Sequence, residues 1–327
     1  MKMLKKIFSD NKGIALITVI LIVSILVAVA IELNRSSRAD IYDAANISDG
    51  IKLTYIAKSG FYGAASLLIN SKNEYETLRD DWANTEILSV QSRQLFDDGY
   101  FVVKVEDEAG KIPLNKLVGG NAYNPEIKQM LIRLLSQPEF ELDKRKAEEI
   151  VDAIKDWIDV DNEVTGAGAE SLYYATQSPP YEAKNAPLDC IEELLMVKGV
   201  TKEIYAGGKG KPSLAQLVTV DSEGIININT APNMVLRTLS DAITPELADK
   251  MDEYRRAKGN DLSSANWYEN VFGMSPGLIP ISLITVKSNY FKIYSAGKMN
   301  NMGQNIVSVV KKLPEKKSVQ IVKWRLD

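Results

Sequence analysis

The sequence predicts an α+β fold in which one long N-terminal helix, part membrane span and part amphipathic, lies on an antiparallel sheet that carries a large inserted helical domain. Three observations predict it. Residues 14–31 form an uncharged apolar run whose helical patterning continues to about Leu68. Strand-like segments occur near 99–106 and then only beyond 282. Between them apolar residues recur at helical spacing, which a sheet interrupted by a helical insertion explains economically.

The chain has 327 residues, 45% hydrophobic and 25% charged, enough for about two domains with their own cores. Its 39 basic and 43 acidic residues leave a net charge of -4, so no sustained positive field is available to hold nucleic acid by counterion release. Cys190 is the only cysteine, which rules out an internal disulfide and any zinc site built on cysteine pairs; its expected place is the core. The chain contains no histidine, so the usual general base and the commonest zinc ligand are missing, and the expectation is a protein without catalytic activity.

The first element follows from the N-terminus. Lys2, Lys5, Lys6 and Lys12 face a single acid, Asp10, and favour a cytoplasmic start. The run from Ile14 to Ile31 has about the length that crosses a bilayer core as a helix. Beyond Glu32, the residues Ala39, Ala44, Ala45, Ile47, Ile51, Tyr55, Ala57 and Phe61 extend it amphipathically. Two kinds of processing fit. Ala28-Val29-Ala30 has the small-x-small pattern of ordinary signal cleavage, which would remove the run. Lys12-Gly13-Ile14-Ala15-Leu16-Ile17-Thr18, by contrast, resembles the type IV prepilin signal. That resemblance implies a prepilin peptidase cutting after Gly13 and methylation of the new amine on Ile14. Most pilins carry glutamate at the fifth mature position, where this chain has Thr18. A carboxylate in hydrocarbon is costly unless paired, so the departure points to the subunit at a filament tip.

Residues 99–106, rich in β-branched and aromatic side chains, read as the first strand, and residues 107–115 are expected to turn and pair with it. Lys144–Ile158 places Ala147, Ile150, Val151, Ile154, Trp157 and Ile158 on one helical face, with Trp157 in the core. Strand signals return near residues 282–296, 304–311 and 319–325. The resulting partition is a leader at 1–13, a membrane segment at 14–31, helix and first sheet part at 32–116, an inserted helical domain at 117–277 and closing strands at 278–327.

Several pieces taken together resemble the type II secretion minor pseudopilin known as general secretion pathway protein K. They are Gly13-Ile-Ala-Leu-Ile, Asp107-Glu-Ala-Gly-Lys-Ile-Pro-Leu-Asn115, Asp156-Trp-Ile-Asp-Val-Asp161, Gly168-Ala-Glu-Ser-Leu-Tyr-Tyr174, Pro180-Tyr-Glu-Ala-Lys-Asn-Ala-Pro-Leu188, Ile226-Asn-Ile-Asn-Thr-Ala231 and Ser288-Asn-Tyr-Phe291. The resemblance implies a pilin-like fold and a single-pass inner-membrane protein whose C-terminal body is periplasmic. The partners it implies are the I and J minor pseudopilins at the tip, the major pseudopilin, prepilin peptidase, and secretin or exported substrate. A minor pilin of a type IV pilus is the neighbouring alternative.

In residues 159–170, Asp159, Asp161, Glu163 and Glu170 fall at the first, third, fifth and twelfth places, the order of hard oxygen ligands in EF-hand loops. Val164 occupies the place where the EF-hand turn needs glycine, so an EF-hand itself is not expected. The family resemblance implies calcium, with these four as candidate ligands of a structural site. The competing reading is a solvated loop in which Asp159 and Asp161 cap backbone amides.

Residues 226–239 followed by 248–255, together with a partial copy at 192–201, resemble helix-hairpin-helix or SAM-like units, and a competence-type DNA-binding membrane protein is the alternative they raise. Such hairpins grip phosphate through amides exposed by turn glycines. Here the first turn has only Gly199, and the second, Ser240-Asp-Ala-Ile-Thr-Pro245, has none and adds an acid. Packing units are therefore expected rather than phosphate contacts. Residues 207–212 read as a flexible linker instead of a P-loop. The basic C-terminal segment reads as a solvated hairpin.

Overall fold

The computed structural model describes residues 11–327 except 72 and 73, so residues 1–10 of the expected leader lie outside the described residues. Helix α1 runs Asn11–Ile69. The chain divides into two compact units, Met1–Tyr55 and Ile56–Asp327. In the first, the apolar side chains from Ile14 to Leu33 are all exposed.

In the second unit, one core forms where the end of α1 meets the sheet. Ile56, Phe61, Ala64, Ala65 and Leu68 recur at helical spacing and pack against Phe101, Val103, Val105, Phe291, Ile293 and Val310, with Trp82 closing the cluster. The sheet has four strands, β1 Tyr100–Asp107, β2 Tyr290–Met299, β3 Met302–Leu313 and β4 Ser318–Leu326, in that spatial order. All neighbours are antiparallel, from Tyr100 opposite Lys298 to Asp107 opposite Phe291 across the first pair. Alternation along β1 turns Phe101, Val103 and Val105 to the helix. The bulge between Ile321 and Lys323 shifts register in the last strand.

Helix and sheet approach closely at Gly60. A Cβ there would collide with Ser295 Oγ and stand 2.8 Å from Val103 Cγ2 and 2.9 Å from Phe101 Cγ. Gly60→Ala is therefore expected to destabilise the body by about 1–3 kcal/mol despite its better helix propensity. Urea unfolding checks it; a stabilised variant would mean that the contact yields freely.

The outer edge of β1 is closed by side chains preceding it. Helix α2, Glu86–Gln91, lies between Thr85 and Ser92. Val103 N–H donates to Ser89 Oγ (3.0 Å), Thr85 Oγ1 donates to Val103 O (2.6 Å), and Phe101 N–H donates to Ser92 Oγ (3.1 Å). These hydroxyls satisfy backbone groups that an edge strand otherwise leaves open.

Between β1 and β2 lies the helical region with the larger core. It contains α3 Pro125–Leu135, α4 Lys144–Ile158, α5 Ser171–Tyr174, α6 Lys202–Ala206, α7 Asn233–Leu236 and α8 Pro245–Arg256. Caps fix the starts of the longer helices. Asn124 Oδ1 accepts from Glu126 and Ile127, Asp143 from Lys146, and Thr244 from Leu247. Trp157 is buried and meets Tyr174 edge-on with centroids 5.1 Å apart.

Two expectations need correction. Residues 107–115 do not pair with β1; Ile112–Pro113 pairs in parallel with Val218–Thr219. Both edges of β1 are already occupied, one by β2 and the other by the hydroxyls, so the chain turns away at Glu108–Gly110. Cys190 is half-buried rather than in the core, because it starts the turn Ile191–Met196, where the Glu193 carboxylate accepts its N–H at 3.1 Å. Burial pushes its thiol pKa up.

Where the helical region meets β1, Asp107 is buried, and among the described residues neutral groups donate to its carboxylate. Its Oδ2 accepts from Ser288 Oγ (2.6 Å), Thr230 Oγ1 (2.6 Å) and Asn227 Nδ2 (3.2 Å), and its Oδ1 from Ala109 N–H (2.8 Å). Burial outweighs these donors and pushes its pKa up to about 6.

Candidate functional sites: the apolar helix and a buried acidic cluster

Of the described residues, one helix is long and apolar enough to cross a membrane, and it holds the expected processing residues. Gly13 and Ile14 are exposed within α1, and a Cβ on Gly13 would touch nothing within 4 Å. Thr18 Oγ1 donates to Ile14 O at 2.9 Å. Its hydroxyl is thus satisfied one turn back in its own helix and brings no buried charge to apolar surroundings.

The second site gathers at the end of α4. Asp156, Asp159 and Glu170 are all buried, with one carboxylate oxygen of each within 4.8 Å of the others. Helical register supplies the first two: Asp159 caps α4, and Asp156 stands nearly one turn before it. Glu170 returns to them just ahead of α5. The intervening loop is moulded onto carboxylates. Thr165 N–H lies 3.1 Å from both oxygens of Asp156, and Ala167 N–H donates to Asp152 Oδ2 at 3.2 Å. Gly168 has no room for a Cβ, which would run into Asp156 Oδ2. Lys198 Nζ holds the loop from outside by donating to Ala167 O (2.9 Å) and Gly168 O (3.0 Å).

Of the four residues that spacing singled out, Asp159 and Glu170 come together here. Asp161 is half-buried and its Oδ1 accepts Glu163 N–H at 2.8 Å, while Glu163 is exposed. Asp156, the third member, is not among the four because counting along a loop overlooks ligands supplied by the helix before it. The signal was its position three residues ahead of Asp159, on the face that also carries Asp152.

The electrostatics are those of carboxylates short of cations. Lys155 pairs with Asp159 and donates to Thr165 Oγ1 at 2.8 Å. Asp159 Oδ1 and both oxygens of Glu170 are buried without a hydrogen-bond partner. Burial, and then the charges of Asp156, Asp159 and Asp161, push the Glu170 pKa up to about 7; burial also raises that of Asp156. Unpartnered buried carboxylate oxygens are expensive, and a hard cation with several oxygen ligands would relieve them. The donor set fits calcium: all-oxygen, anionic and without sulfur or imidazole.

The hairpin units have other uses for their turns. Gly199 adopts φ +85° and lies so close to Ile150 that a Cβ would stand 2.9 Å from its Cγ1. In the second turn Asp241 takes Arg133 in a two-pronged ion pair, at 2.6 Å and 2.8 Å. One turn glycine is committed to packing, and the other turn presents an acid where a phosphate would sit.

The family model described as Type II secretion system (T2SS), protein K matches residues 110–209, which include the whole acidic cluster. Protein K of the type II secretion system of Pseudomonas aeruginosa is 24% identical over 92% of this chain and 89% of its own length. That of Aeromonas hydrophila is 24% identical over 94% of this chain and 95% of its own. The crystal structure of the GspK-GspI-GspJ complex from enterotoxigenic Escherichia coli contains a chain with the same fold, at a TM-score of 0.67 and 20% identity, covering 87% of this chain and 99% of that one. In sequence along nearly its whole length, and in fold, the chain is similar to protein K of type II secretion systems.

Proposed function

We propose that this protein is a tip subunit of the type II secretion pseudopilus, which initiates assembly with the I and J minor pseudopilins and supports protein export. The observation that carries the proposal is the exposed apolar helix joined to a body of the protein K fold. Once cut after Gly13, the helix anchors the chain in the inner membrane with its body in the periplasm. It packs there against the helices of I, J and the major pseudopilin through small residues such as Ala28, Ala30 and Ala39. Thr18 supports the tip position, since its hydroxyl is satisfied internally and asks for no partner amine above it. The work is mechanical. The SAM-like or helix-hairpin-helix-like units serve as packing modules of the capping domain, which faces secretin or cargo.

Calcium belongs to this reading as a structural ion. Asp156, Asp159 and Glu170 hold it, with Asp161 and Glu163 at the rim. The unpartnered oxygens of Asp159 and Glu170 support the assignment.

Mass spectrometry of the full chain from membranes of cells with and without prepilin peptidase tests the proposal. The expected product begins at methylated Ile14 only where the peptidase is present, and it co-purifies in detergent with I and J. A mature chain that begins beyond Ala30 and leaves the membrane fraction would overturn it.

A further inference from the structure

We infer that Lys155 is a fixed internal counter-cation of the acidic cluster, which sets at two the negative charge that a bound ion must cancel and so selects a divalent ion over a trivalent one. The inference rests on the calcium reading above. Lys155 is 6% exposed, and it precedes Asp156 directly and Asp159 by one helical turn. Its ammonium pairs with Asp159 Oδ2, lies 2.8 Å from Thr165 Oγ1 and 4.0 Å from Asp156 Oδ1. A buried ammonium is stable only when paired, and these contacts fix it in place.

The side it occupies is informative. The ammonium grips Asp159 by one oxygen, and what remains without a partner is the other oxygen of Asp159 and both oxygens of Glu170. Lys155 therefore neutralises part of the cluster without filling the position to which the unpartnered oxygens belong. Three buried carboxylates, all ionised when a cation is bound, against one ammonium leave two negative charges.

The surrounding charges are engaged elsewhere. Asp152 receives the Tyr123 hydroxyl at 2.5 Å and has Lys128 Nζ at 3.6 Å. Lys198 gives its ammonium to two loop carbonyls. Asp161 is half-buried and Glu163 exposed, so water screens both of these rim charges. In a buried site of low effective dielectric an uncancelled unit charge weighs heavily, and net neutrality favours a dication. Without Lys155 the cluster carries three charges and suits a trication.

The test uses the full chain in detergent, stripped of metal and titrated calorimetrically with calcium and, separately, with terbium(III). Lys155→Gln keeps a donor for Asp159 and loses the charge; Lys155→Arg keeps the charge; Lys155→Met serves where the glutamine variant fails to fold. The terbium-to-calcium affinity ratio is expected to rise at least roughly tenfold over wild type in the glutamine or methionine variant and to stay near wild type in the arginine variant. An unchanged ratio in the charge-neutral variants, with calcium still bound by all, would overturn the role of Lys155 and leave the calcium site standing. Failure of every form, wild type included, to bind either ion would overturn both.

Discussion

Chelation of divalent cations should lower the apparent unfolding midpoint of the full chain in detergent by roughly 6–10 °C, and added calcium should restore it. Calcium at a hundred to a thousand times its dissociation constant stabilises the folded state by about 3–4 kcal/mol, and at this domain size each kcal/mol moves the midpoint by about 2 °C or more. The effect is large because the ion would satisfy three carboxylate oxygens that are otherwise buried without partners. Glu170→Gln and Asp159→Asn should each abolish most of the calcium response, whereas Glu163→Gln, at an exposed position, should keep it. Calorimetric scans with chelator and with calcium decide the matter. Identical midpoints in the two conditions would remove calcium from the structure of this protein.

The second large effect is expected at Asp107. Asp107→Ala strips the acceptor from Ser288, Thr230, Asn227 and the Ala109 amide at once. The two hydroxyls can rotate towards other acceptors, but the amides cannot all do so, and a loss of about 3–5 kcal/mol is expected. Asp107→Asn keeps an acceptor oxygen and should cost far less. The same residue gives a pH signature. Its folded pKa, about 6, lies above the ordinary 3.8, so the folded state binds the proton more tightly. Its contribution to stability is therefore complete below the ordinary value and disappears as pH rises through about 6. In saturating calcium, wild type should lose about 1–2 kcal/mol more than Asp107→Asn between pH 5 and pH 7.5. Parallel urea-unfolding profiles for the two proteins over that range would count against a raised Asp107.

Much of the architecture was legible because it is written in local periods. The helix Lys144–Ile158 shows its apolar stripe in fifteen consecutive residues, and its bounds agree with the expectation. The strand expected at 304–311 lies inside Met302–Leu313, whereas the signal at 282–296 runs together the long strand Tyr290–Met299 and the short Ile284–Thr285, which pairs in parallel with Ile226–Asn227. What was hidden depends on residues far apart in sequence. The Ile112–Pro113 pairing joins a partner more than a hundred residues away and has no periodic trace of its own. Asp107 looked like a turn residue because its donors, at 227, 230 and 288, meet only after the helical region folds. In the acidic cluster, spacing found Asp159 and Glu170 but passed over Asp156, which enters by helix geometry rather than by loop order. Lys155 was overlooked for the same reason: a charged residue inside a stripe of buried ones reads as solvated until its partners are seen.

The hydroxyls of Thr85, Ser89 and Ser92 have a consequence for how this body meets other chains. Along the first strand they occupy the outward groups of Phe101 and Val103, so that stretch offers no bare rung on which a foreign strand could zip. A partner that recognises the sheet by its main chain is better served by the far margin, along Ser318–Leu326, where Ile321, Val322, Trp324 and Leu326 remain partly open to solvent. Approach is thereby biased to one side, which helps a handed assembly tell the two margins apart.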